Sequence, residues 1–178
     1  MCASSPQRLS AESAGIAGMK GFSTAYAMFS TKYGSIDTCF QRGEDADFVK
    51  VPEGIAHYLE HKMFESEEGD AFEKYAQTGA SANAFTSFDK TCYLFTATQQ
   101  VDESLDILLS MVGEPYFTEA TIAKEQGIIG QEIKMYDDSP DWRIMTALFQ
   151  CLYHSHPIRH DIAGTVESIA EITPEMLY

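Results

Sequence analysis

Apolar and polar positions follow two different periods along this chain, and the changes of period mark its elements. Gly21–Thr31 (GFSTAYAMFST) sets Phe, Tyr and Met between small or polar residues, which predicts a strand, with Ser35–Gln41 (SIDTCFQ) as its partner across Lys32–Gly34. Charged Arg42–Lys50 reads as a loop. A helix is predicted from Pro52–Glu53, since proline suits a first turn and an acid there complements the helix dipole; it carries Ile55, Ala56, Leu59 and Phe64. Asp70–Gln77 is a short amphipathic helix with an N-cap aspartate, stopped at Gly79. Period two returns in Ala80–Ser87 and Thr91–Thr98, a predicted hairpin turning around Phe88–Asp89–Lys90.

Three longer helical patterns follow. Val101–Val112 puts Leu105, Leu108, Leu109 and Val112 on one face. A helix capped by Thr118 should run to about Tyr136, and another from about Trp142 to Tyr153, with Leu148, Leu152 and Tyr153 as expected core. Short helices are predicted near Val166–Ile169 and from Thr173-Pro174-Glu175. Hairpin-like strand pairs mixed with helices predict an α+β fold, a mostly antiparallel sheet packed on helices. The small and polar residues 1–20 read as a flexible tail, and residues 21–178 as one domain.

Composition narrows the function. The 178 residues carry 12 basic and 27 acidic side chains, a formal charge of −15. Such a surface repels phosphate backbones and anionic lipid, so neither nucleic acid nor membrane is an expected partner. The four cysteines form no C-x-x-C pair, and the reading is scattered free thiols in a reducing compartment. No apolar run reaches membrane-spanning length. Cytoplasmic placement is the resulting expectation.

Candidate chemistry centres on GIAHYLEHKMFESEEG (Gly54–Gly69). On a helix His57 and His61, four residues apart, stand on one face and can address one metal ion. Glu60 is offset from that face, which suits a base acting on water rather than a metal ligand. The pattern H-x-x-E-H inverts H-E-x-x-H and is a zinc-enzyme signature. A catalytic zinc site usually takes a third protein ligand. Glu125 and Glu132 are seven residues apart on one predicted helix and so share a face; spacing does not decide whether they are a ligand and its supporting residue or two exposed glutamates. His154, His156 and His160 form a second cluster, read as a polar loop.

These motifs together resemble the pitrilysin/insulinase family of inverted-motif zinc metallopeptidases. His57-Tyr58-Leu59-Glu60-His61 is followed by Glu125 and Glu132, with YGSID (Tyr33–Asp37), SANAFT (Ser81–Thr86), His156-Pro157 and Gly164-Thr165 in the family's order. The likeness runs from about Phe22 to the last residue and is closest to bacterial processing-protease-like members. It implies Zn²⁺ as cofactor, with His57, His61 and Glu132 as ligands, Glu60 as general base, and Glu125 supporting the site from behind. It also implies that a peptide or small protein substrate pairs with SANAFT as an added β-strand, nearest Asn83, Ala84 and Phe85. Family peptidases are longer and use paired homologous domains, so the resemblance implies a domain incomplete at its C-terminus and a second domain or subunit as partner. A non-catalytic, substrate-binding subunit of the same family is the alternative.

Overall fold

A computed structural model describes residues 21–41 and 47–178 together with the backbone of Ala11–Ile16. The described residues form eight strands: β1 (Ala11–Ile16), β2 (Ala25–Thr31), β3 (Cys39–Gln41), β4 (Phe48–Lys50), β5 (Glu65–Ser66), β6 (Gly69–Asp70), β7 (Ser81–Thr86) and β8 (Thr91–Ala97). Seven α-helices join them: α1 (Ile55–Lys62), α2 (Ala71–Thr78), α3 (Val101–Gly113), α4 (Glu119–Asp137), α5 (Pro140–Leu152), α6 (Val166–Ile169) and α7 (Pro174–Leu177). The fold is α+β, as the patterning predicts.

The main sheet is antiparallel, in the order β1-β2-β8-β7. Central β8 (TCYLFTA) is buried almost throughout, whereas β7 alternates exposed and half-buried positions. Helices α1, α2 and α3 lie against the sheet. Tyr58, Tyr75, Phe95, Leu108 and Ile129 are each no more than 1 % exposed at the centre of the core. Each large apolar side chain so buried contributes on the order of 1.5–3 kcal/mol. Helix α4 starts at a capping box between Thr118 and Thr121 and turns Ile122, Glu125, Ile129 and Ile133 inward.

Three expectations about the elements change. Strand β2 pairs with β8 and β1, while residues 35–37 form a turn; only Cys39–Gln41 is strand, and it pairs with Phe48–Lys50, inside the expected loop. The reason lies at Gly34, where a Cβ would sit 2.5 Å from the backbone of Phe88, Asp89 and Lys90. Ser35 N–H and Ile36 N–H donate to the carbonyls of Ser87 and Phe88, so this turn is spent on bracing the β7–β8 hairpin. Within the expected tail, Ala11–Ile16 is an edge strand held by backbone pairing; the rest of that tail lies outside the described residues. Helix α5 buries none of its residues: Leu148, Leu152 and Tyr153 are 53 %, 63 % and 41 % exposed instead of forming core. Its polar Thr146 and Gln150 instead face a cleft shared with α4.

Cys92 and Cys151 are free, but Cys39 is disulfide-bonded, which corrects the reading of all four cysteines as free thiols. Cys2 lies outside the described residues. No helix among the described residues is long and apolar enough to cross a membrane.

Candidate metal centre

The site is built where α1 crosses α4. Helix α1 begins at Gly54, whose φ of +85° is accessible to glycine at little steric cost. A Cβ at Gly54 would lie 2.3 Å from the Ala163 carbonyl oxygen, and one at Gly164 (φ +74°) 2.6 Å from that of Glu53. The two glycines let the C-terminal loop close directly on the start of α1. One turn on, fully buried Tyr58 donates its phenol to the Ile122 carbonyl at 2.6 Å, clamping α1 to α4.

That clamp brings the candidate ligands together. The His57 and His61 rings lie with centroids 4.7 Å apart. Glu132 on α4 faces both, with Oε1 3.7 Å from His57 Nε2 and Oε2 3.3 Å from His61 Nε2. Ligand atoms of these three residues lie within 4.8 Å of one another, the one such His/Cys/Asp/Glu group among the described residues. Glu125 lies behind, 7 % exposed, with Oε1 2.9 Å from His61 Nδ1. It therefore orients the ring and leaves Nε2 directed at Glu132. Glu60, 9 % exposed, accepts the Thr86 hydroxyl at 2.6 Å on Oε2. Asn83, Ala84 and Phe85 lie on β7, beside which no further strand pairs among the described residues. Asn83 Oδ1 accepts the Ala84 N–H at 2.9 Å.

The electrostatics suit a cation. Burial opposes charge on His61, but Glu125 and Glu132 outweigh it and raise its pKa to about 9. The Glu132 carboxyl is held well below the usual carboxylate range by His57 and His61, with a further hydrogen bond from Tyr136. His57 Nδ1 is buried with no hydrogen-bond partner among the described residues. Two imidazoles and a carboxylate match the donor set of catalytic zinc centres, so these residues fit that ion. A cavity of about 200 Å³ opens on the group and is lined by His57, Glu60, His61 and Glu132 together with Phe85 and Trp142. The second histidine cluster does other work: His156 accepts the Ile158 N–H, and His160 pairs with Glu53 at 3.0 Å.

Three residues at the site escaped the sequence reading. Thr86 orients Glu60, and nothing in the sequence links them. Tyr136 donates to Glu132 Oε1 at 2.7 Å; their i, i+4 spacing was the available signal. Trp142, the chain's one tryptophan, stacks on Tyr136 and lines the same cavity.

Residues 42–166 match the family described as Insulinase (Peptidase family M16). The Bacillus subtilis protein named zinc protease YmfH is 56 % identical over 159 residues, which cover 89 % of this chain and 37 % of that protein. A crystal structure of an M16-like peptidase from Alicyclobacillus acidocaldarius superimposes with a TM-score of 0.84 at 41 % identity, covering 93 % of this chain and 41 % of that one. The fold is shared as well with an M16 domain described as inactive from Pseudomonas fluorescens, at a TM-score of 0.72 and 18 % identity. The chain thus spans about two fifths of the length of each of these three relatives.

Proposed function

This chain belongs to the insulinase family of peptidases, M16, and from that premise we propose that it is the zinc-binding catalytic part of a metalloendopeptidase. The observation that carries the reading is the convergence of His57, His61 and Glu132, with Glu60 on the rim of the same cavity. Zinc held by those three side chains supplies a Lewis acid that polarises a peptide carbonyl and lowers the pKa of water.

The chain's own residues do the rest. Glu60 accepts a proton from the attacking water and returns it to the leaving amine. Thr86 keeps one Glu60 oxygen occupied, so the other faces the reaction. Glu125 fixes the His61 ring, as carboxylates behind metal-ligating histidines generally do. The free edge of β7 receives substrate as an added strand beside Asn83, Ala84 and Phe85. For that, the Ala84 N–H must exchange its bond to Asn83 for one to the substrate. A second homologous domain, on the same polypeptide or another subunit, completes the peptidase.

The test combines zinc analysis of the purified chain with peptide cleavage in the presence and absence of chelator. Glu60→Gln should keep the metal and abolish cleavage. A chain that takes up no zinc and shows no chelator-sensitive cleavage would favour the substrate-binding subunit instead.

A further inference from the structure

Glu132 is the one candidate ligand on α4, and its carboxylate is not free to turn. Oε1 receives the Tyr136 phenol at 2.7 Å, while Oε2 faces His61 Nε2 at 3.3 Å. Tyr136 is itself fixed. Its ring stacks on Trp142 with centroids 4.9 Å apart and planes 25° from parallel. The Trp142 indole N–H donates to Asp161 Oδ2, and Asp161 Oδ1 accepts the Ala163 N–H at 3.0 Å. Ala163 and Gly164 are the residues that close on Gly54 ahead of α1. The contacts therefore form a ring around the site: start of α1, residues 161–164, Trp142, Tyr136, Glu132, and back to His57 and His61 on α1.

Hydrogen-bond partners that fix a ligating carboxylate orient it towards the metal position and help to set metal affinity. The Tyr136 phenol on Oε1 plays that part for Glu132 and leaves Oε2 turned towards His61 Nε2. We propose that Tyr136 is a positioning residue that fixes the Glu132 carboxylate in the orientation it presents to His57 and His61, with Trp142 and Asp161 bracing it. This assignment rests on the zinc reading above. It extends that reading by making metal binding depend on a residue outside the ligand set, and through Asp161 on the loop that anchors α1.

The experiment is Tyr136→Phe in the full chain, which keeps the stacked ring and removes only the hydroxyl. Zinc affinity is read by competition with a chromophoric chelator, and thermal unfolding of the metal-free chain is measured alongside. Removing such supporting partners weakens metal binding by about 10–100-fold, so a loss of at least about tenfold is expected. Unfolding of the metal-free variant should stay close to that of the unmodified chain, because the ring and its packing remain. Affinity within about twofold of the unmodified chain would overturn the assignment, since the phenol would then not be among the supporting partners. A parallel loss of affinity and metal-free stability would overturn it too, by showing a purely structural role. If the unmodified chain takes up no zinc, the zinc reading itself fails and this assignment with it; a zinc-binding chain that is indifferent to Tyr136→Phe leaves the zinc reading intact.

Discussion

Gly54→Ala probes the packing that aims the motif helix. Gly54 sits at φ +85°, where an L side chain costs roughly 1–2 kcal/mol. The new methyl would also fall 2.3 Å from the Ala163 carbonyl oxygen and 3.0 Å from Gly164 Cα, both backbone atoms. No rotamer change relieves that overlap, so the loop at 163–164 must move off α1, an overpacking cost of roughly 1–3 kcal/mol. The two contributions centre on about 3.5 kcal/mol. For a chain of this size each kcal/mol lowers the melting temperature by about 2–4 °C, so the expected drop is about 7–14 °C. Far-ultraviolet circular dichroism in chelator measures it without the complication of bound metal. Gly127→Ala is the control, because Gly127 lies exposed within α4 with nothing within 4 Å of an added Cβ. Relieving a mid-helix glycine should raise stability by about 0.5–1 kcal/mol. A Gly54→Ala protein that melts within about 2 °C of the unmodified chain would refute the claim that the glycine pair sets the approach of α1.

Lys62 is fully buried beside His61 and pairs with Glu65, which Lys124 on α4 approaches to 3.4 Å. Glu65→Gln strands that ammonium without an anion and should cost about 3–5 kcal/mol, read as a lower denaturation midpoint at unchanged denaturant slope. The metal-free chain should also have a pH optimum of stability set partly by the site. The raised pKa of His61 contributes stability that is complete below its ordinary 6.5 and is lost as pH rises through about 9. The depressed pKa of Glu132 contributes stability present above its ordinary 4.5 and lost as pH falls. Melting curves in chelator should therefore fall off on both sides of that window, and a profile flat from neutral to pH 9 would contradict the His61 assignment. Zinc binding near neutral pH should release a proton from His61, seen as a calorimetric heat that depends on the buffer's ionisation enthalpy.

Where periodicity and local chemistry agree, the sequence determined the structure by itself. Asp70 and Gly79 bound α2, and Thr118 starts α4, because caps act within one turn of the residues that carry them. The β7–β8 hairpin is equally local. His57 and His61 share a face because helical geometry requires it, and Glu125 and Glu132 do so for the same reason. The family resemblance placed those two helices in one site, which no spacing could.

Tertiary structure decided the rest. Thr86 meets Glu60 across 26 residues, and Asp161 meets Trp142 across 19, through contacts that no local pattern encodes. The amphipathic pattern of α5 shows that Ile144, Leu148 and Leu152 share a face, but an apolar face is buried only if another element reaches it. Among the described residues none does. Likewise Ser35–Asp37 reads as the start of a strand, but the hairpin backbone takes the N–H donors of Ser35 and Ile36. A periodic sequence specifies which side chains stand together; which surface they meet depends on how distant segments close around them.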